Sequence, residues 1–359
     1  TLGPWHPRAR ARGGSRCVHN GGYIGDTPFE CPLRLAWREF VRGCARRSPP
    51  HHDGLLGGLR MPRPSRFEGP MAWHPHTMTW LCNRGHIASA RDLAAMGVSR
   101  RAVGRAVAEG RLIRCRRGTY ACAHIDTHEG IAAAVGGRID CVSALARHEN
   151  VWTGPLAREL HLRVDPRFHA DATAGAVLHW RVAHGESGHP LEVAPIDALL
   201  QAMTCLSRYD ALAAVESAAH LGYLGETDLG RLTKLGPQRM RVILKRLDVR
   251  SQSGLETFTR LQLQDAGHRV ECQVPIPGAG VLDLLVDDCV GIETDGEKWH
   301  ANRFHADRTK DVLIEAWGIR VLRIGRPHIF DEWPTTLAAI ERMVAESAPR
   351  LRAQLRGFS

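Results

Sequence analysis

Residues 281–295 contain two apolar runs, VLDLLV and VGIETD, and a carboxylate interrupts the first and ends the second. Charge inside a buried strand is costly unless it is paired, hydrogen-bonded or metal-bound. If the two runs are neighbouring antiparallel strands, Asp283 and Glu293 fall side by side, with Asp287 and Asp288 at the turn. A two-residue turn would set position 283 against 292. A three-residue loop or a bulge would set Asp283 against Glu293, and the sequence leaves both open. Glu256 adds a third acid, on a helix GLETFTRLQLQDAG that Ser253 can cap, beside Leu255 and Thr259. Asp295 closes the second run. Clustered carboxylate oxygens suit Mg²⁺ or Mn²⁺, and such an ion can generate hydroxide at a phosphodiester.

The flanking pattern completes a unit over residues 251–347. After the helix come strands HRVECQV, VLDLLV and CVGIET, a helix from about 302 to 317 closed by Gly318, a strand IRVLRIG and a helix WPTTLAAIERMV. The order is αβββαβα, and residues 348–359 form a tail. The segments SGLETF, the Asp283 strand, IETDGEKWH, FHADRTKD and GIRVLRI, taken in order, resemble the PD-(D/E)XK restriction-endonuclease-like superfamily. Within it, they resemble a bacterial domain of unknown function (DUF) related to very-short-patch-repair (Vsr-like) endonucleases. The resemblance implies that Asp283 and Glu293 are metal carboxylates and that Glu256 is an additional helix acid. Asp295 stands where the superfamily usually has its lysine, so His300 is the implied proton-transfer group, with Lys298 or Lys310 supplying charge. Asp307 and Asp311 share a helix face and could orient His300 or meet Arg303 and Arg308. Asp287, Asp288, Glu297 and Asp331 read as turn and surface acids, and Trp299 and Trp317 as fold supports.

The formal net charge of +10 is unevenly spread. Residues 1–77 hold 12 Arg, no Lys and five acidic residues, with 10 of the 20 Pro and 11 of the 36 Gly. They show no apolar period and read as a disordered or spurious extension, with Met71 and Met78 as expected starts. Residues 84–117 hold nine Arg against only Asp92 and Glu109, whereas everything after 117 is slightly acidic. Within 78–125, Ser89 can cap a helix ARDLAAMG closed by Gly97, and Ser99 a second, RRAVGRAVAEG, closed by Gly110. Leu93, Ala94 and Met96 give the first helix an apolar side; Val103, Ala106 and Val107 do so for the second. LIRC and TYAC follow as strands around Arg116-Arg117-Gly118. Two helices and a hairpin make a winged-helix pattern. Arg100, Arg101 and Arg105 would meet a DNA groove, and Arg114, Arg116 and Arg117 would arm the wing. The stretch GHIASARDLAAMGVSRRAVGRAVAEGRLIRCRRGTYA resembles the N-terminal winged-helix domain of AbiEi-type antitoxins of type IV toxin–antitoxin systems.

Residues 126–250 read as an α/β linker domain. Helices are expected at HEGIAAAVGG, CVSALARHEN, ALLQAMTCL, RYDALAAVESAAHLG, ETDLGRLTKLG and PQRMRVILKRLD, and strands at LHLRV and AVLHWRV. Ser143, His148 and Trp152 do not make a triad. His161, His169, His179, His184 and His189 could form a metal cluster, though their spacing does not support one; the ten cysteines include no CxxC pair and read as reduced, mostly buried thiols. No apolar run of spanning length or secretory signal is present, so a cytoplasmic protein is expected.

The expected molecule is thus a multidomain α/β protein with an N-terminal winged helix, an α/β middle region and a C-terminal restriction-endonuclease-like domain. The function expected is a DNA-binding protein with a Mg-dependent endonuclease domain. The alternative is an antitoxin-like transcriptional regulator whose nuclease-like domain is inactive, partnered by an operator and a toxin gene.

Overall fold

The computed structural model describes residues 75–166, 175–295 and 304–357. His169, Glu297, Lys298, Trp299, His300, Arg303 and all but the last three residues of the 1–77 extension lie outside the described residues, as do the side chains of Asp307 and Arg308. The chain is a mixed α/β protein, with many helices and three small sheets among the described residues.

The first unit runs α1 (Pro75–Asn83), β1 (Ile87–Ser89), α2 (Ala90–Ala95), α3 (Arg100–Ala108), β2 (Leu112–Arg116) and β3 (Thr119–Cys122). Helix α1 and strand β1 have no counterpart in the expected pattern; β1 is three residues long, too short to show a period. Ser89 caps α2 reciprocally with Asp92, and the Ser99 hydroxyl accepts from Ala102 N at 3.2 Å to start α3. Gly97 and Gly110 close the two helices in the left-handed region, at φ 79° and 72°. The sheet order is β1-β3-β2, wholly antiparallel. Leu81, Leu93, Val98, Ala102, Val103, Ala106 and Leu112 form one core. Leu93 alone of the expected apolar side of α2 is buried; Ala94 and Met96 face outward.

The middle unit contains α4 (Thr127–Val135), β4 (Arg138–Ile139), α5 (Cys141–Leu145), β5 (His161–Arg163), β6 (Val177–His179), α6 (Pro195–Cys205), α7 (Arg208–His220) and α8 (Glu226–Leu235). Strand β4 pairs antiparallel with β5, which pairs parallel with β6. The segment PQRMRVILKRLD is not the α-helix expected. It forms two 3₁₀ turns, Gln238–Met240 and Ile243–Arg246. The β-branched Val242 and Ile243 within it lower its α-helical tendency. Ser143 is a structural link: its hydroxyl donates to Glu159 O and accepts from His161 N, both at 2.8 Å.

The last unit is α9 (Gly254–Asp265), β7 (Val270–Ile276), β8 (Gly280–Val286), β9 (Val290–Asp295), α10 (Phe304–Ala316), β10 (Arg320–Gly325), α11 (Arg326–Phe330) and α12 (Trp333–Gly357). The sheet order is β10-β9-β8-β7, with only the β9–β10 pair parallel. Pro327 opens the extra short helix α11. Helix α12 runs through the expected tail boundary at 347. Trp317 is 54% exposed rather than a core support, and its indole N–H donates to Pro277 O.

Helix α9 is fastened to α7 through a fully buried pair. Arg260 donates to Glu216 Oε1 at 2.6 Å and to Arg246 O at 2.8 Å; Thr257 Oγ1 donates to Glu216 Oε2 at 2.6 Å. Trp152 continues the seam, packing against Phe258 and Phe330, which also touch each other, and donating to Asp210. A Cβ on Gly254 would lie 2.0 Å from the Trp152 ring, so that position has room only for hydrogen.

Candidate functional site

Two regions carry the expected chemistry. In the first, the register of α3 divides it cleanly. Ala102, Val103 and Ala106 are buried, and Arg100, Arg101, Gly104 and Arg105 are exposed. The cap at Ser99 leaves Arg100 and Arg101 in the first turn, where the helix presents its free backbone N–H groups. Arg114, Arg116 and Arg117 are exposed on the hairpin, where Gly118 takes φ 76° and the ladder shifts register between Arg114 and Arg116. Arg116 differs from the other five. Its guanidinium lies against Gly136 at the end of α4, where the first unit meets the middle one. An open groove of about 840 Å³ runs between α2, α3 and the hairpin, lined by Arg91, Arg100, Val103, Arg114 and Tyr120 among others.

In the second region the turn between β8 and β9 decides the register. Val286 pairs with Val290, and Asp287, Asp288 and Cys289 form a three-residue loop with left-handed φ at both aspartates (46° and 62°). Leu284 pairs with Ile292, and continuing the ladder by one residue sets Asp283 directly against Glu293. Of the two registers left open by the sequence, the three-residue one is realised. His268 and Arg269 N hold the Asp287 carboxylate, which makes it a loop support.

Glu293 is buried, and Lys310 Nζ donates to both of its oxygens, at 2.7 and 2.9 Å. Arg323 sits in register with it on β10, 3.9 Å from Oε2, and binds Asp311 at 2.7 Å and Asp295 at 3.6 Å. Asp295 is therefore balanced by Arg323. The cation at the pair comes instead from α10, where Lys310 supplies the charge. Asp311 meets Arg323, not the histidine or helix arginines considered from the sequence. Asp283 Oδ2 accepts from Thr294 N at 2.8 Å and from its hydroxyl at 3.2 Å.

Glu256 is 4% exposed, and its Oε2 accepts from Gln252 N and Gln273 Nε2, both at 2.9 Å. Burial foremost, and then the Asp283 charge, push its carboxyl up to about 7. The same two causes raise Glu293, opposed by Lys310 and Arg323. Gln273 was not expected at the site. It holds φ 53° inside β7, an uncommon conformation for glutamine, while its side chain bridges Glu256 and Gln252. Glutamine in a polar-apolar strand carries no distinguishing sequence signal.

The oxygens of Asp283 and Glu293 suit a hard cation, but Glu256 does not join them in a set of three donors within 4.8 Å of one another. Asp283 Oδ1 and Glu256 Oε1 accept no hydrogen bond among the described residues. Both oxygens of Glu293 are held by Lys310, so an ion bridging Glu293 and Asp283 would compete with the ammonium.

Residues 81–123, covering the end of α1 through the hairpin, match the family model of the AbiEi antitoxin, a transcriptional regulator. No curated protein matches the chain. No described helix is long and apolar enough to cross a membrane.

Proposed function

We propose that this chain is a DNA-binding transcriptional regulator of the AbiEi antitoxin kind, with residues 75–125 as a winged-helix reader. The observation that carries this reading is the division of α3. Its apolar side is consumed by the core, and Arg100, Arg101 and Arg105 face outward beside the hairpin arginines Arg114 and Arg117. In this role α3 enters the major groove, its first-turn arginines reach base edges or phosphates, and the hairpin rests on the backbone. The partner DNA is an operator, and a neighbouring gene for a nucleotidyltransferase toxin fits the family. A mobility-shift assay with the DNA upstream of the chain's own gene tests this. Retarded DNA is expected; no retardation of that or random duplex at low salt refutes it.

A second reading is favoured by Asp283 opposite Glu293 with Lys310 between α10 and β9. The element order of the last unit, with its one parallel strand pair, supports reading it as restriction-endonuclease-like, and the function in that reading is phosphodiester cleavage. Mg²⁺ or Mn²⁺ would be held by Asp283 and Glu293, with Glu256 nearby; such an ion supplies Lewis acidity and an activated water. The chain's own part is to place Lys310 beside the reacting phosphate and to hold an exchangeable proton on Glu256 near neutral pH. Asp295 and His300 are the remaining members proposed from the resemblance. Plasmid nicking with Mg²⁺ or Mn²⁺, on the natural chain and Asp283→Ala, tests this reading. Cleavage lost in the variant with DNA binding retained supports it; no metal-dependent cleavage of any substrate refutes it.

A further inference from the structure

Four side chains outside both regions come together in the middle unit. Cys141 follows β4 at the start of α5, His161 opens β5, His179 ends β6, and Cys205 is the last residue of α6. Arg163 pairs with His179, and Arg163 lies two residues beyond His161, so the two histidines share a face of the parallel β5–β6 pair. One ligand atom from each of the four residues lies within 4.8 Å of every other. Cys141, His161 and His179 are buried and Cys205 is half-buried.

Four local features have no other assignment. His161 Nδ1 and His179 Nε2 face each other at 3.0 Å. As a bare contact one nitrogen must carry the proton between them; in a metal site both lone pairs point at the ion. Two imidazole nitrogens on a tetrahedral zinc, at Zn–N near 2.0–2.1 Å, stand about 3.3 Å apart, close to what is seen. His161 Nε2 is buried with no hydrogen-bond partner among the described residues, and the Glu159 carboxylate lies 3.8 Å from it. A zinc-bound histidine uses its second ring nitrogen as a donor to such a group. Cys141 adopts φ 54°, a strained conformation for a residue other than glycine or asparagine. Gln201 Nε2 also donates toward Cys205 Sγ at 3.6 Å, which suits a thiolate.

We propose that Cys141, His161, His179 and Cys205 form a tetrahedral Cys₂His₂ site for Zn²⁺. Soft sulfur and imidazole in a tetrahedral set select zinc over magnesium or calcium. All four positions are filled by protein, three of them buried, so the site is structural and leaves no place for a substrate. Binding releases the two thiol protons to solvent and joins α5, α6 and the β5–β6 pair through one ion. A second group, Cys82, His86 and Cys122, has three donors within reach and belongs to the first unit; it serves as an internal control.

The test is metal analysis of the untagged full chain, purified from zinc-supplemented cells and freed of loose metal. Natural protein is expected to hold about one zinc more per chain than Cys205→Ser or His179→Ala, whereas Cys122→Ser keeps that equivalent. Replacement of zinc by Co²⁺ in the natural chain is expected to give the intense visible bands of tetrahedral thiolate coordination. This second measurement does not depend on any variant folding. The proposal is overturned by natural protein that carries no zinc and gives no such bands, by a Cys141–Cys205 disulfide in that protein, or by equal zinc in natural protein and Cys205→Ser.

Discussion

The DNA-binding reading makes a quantitative demand that does not require the operator to be known. Arg100, Arg101, Arg105, Arg114 and Arg117 are exposed, and Arg116 is turned onto Gly136. Five phosphate contacts release counterions so that log K falls against log salt with a slope of about −4.5, a loss of about 500-fold between 50 and 200 mM salt. The perturbation is the triple variant Arg100→Ala, Arg101→Ala, Arg105→Ala. None of these side chains is buried, Ser99 still caps the helix, and alanine is the best helix former, so the fold is expected to stand. Removing three contacts flattens the slope by about 2.7, to about −1.8. Fluorescence anisotropy of a labelled random duplex over a salt series reads both slopes. Arg116→Ala is expected to leave the slope unchanged. A natural slope flatter than about −2, or a triple-variant slope equal to the natural one, refutes the assignment of these arginines to phosphate contact.

Three further outcomes follow from the C-terminal half. Glu216→Ala strands the buried Arg260 and is expected to cost about 3–5 kcal/mol, read by chemical denaturation; a cost below about 1 kcal/mol would mean the pair is not buried as described. Gly254→Ala is expected to lose about 1–3 kcal/mol, since the methyl cannot coexist with the Trp152 ring, and an unchanged thermal midpoint would refute that contact. Glu256 holds its proton more tightly when folded, with a pKa of about 7 against an ordinary 4.5, so the folded state binds more protons between those values. Stability therefore falls as pH rises across that window, and the penalty is complete above it. Glu256→Gln can still accept from Gln252 and Gln273 and should relieve this penalty. Relative to the natural chain it gains stability at pH 8 by about 1–3 kcal/mol and loses that advantage toward pH 5; a pH-independent difference would refute the assignment.

The sequence revealed features whose cause is local and hid those assembled over distance. Ser89, Ser99, Gly97 and Gly110 mark α2 and α3 because caps and left-handed closures are read within a few residues. Asp283 and Glu293 stood out because a charge in an apolar strand violates a simple pattern, but their register depended on a loop that two spacings could satisfy. Lys310 at Glu293 depended on how α10 crosses the sheet, which periodicity does not encode. Cys141, His161, His179 and Cys205 were individually visible yet unrelated by spacing, since four separate elements deliver them. The 3₁₀ turns after Pro237 carry the sequence pattern of a helix because apolar residues recur there at helical intervals while the backbone turns more tightly.

Helix α9 has two obligations. Glu256 feels the charge of Asp283, and one turn later Arg260, with Thr257, is committed to Glu216 on α7. The position of the acid is thus inherited from the middle unit. The C-terminal region is consequently not a portable cassette: cut free at residue 251, it would carry an arginine without its counter-ion and an apolar flank without its Trp152 cover. A chain that recombined this region onto another scaffold would have to bring α7 with it.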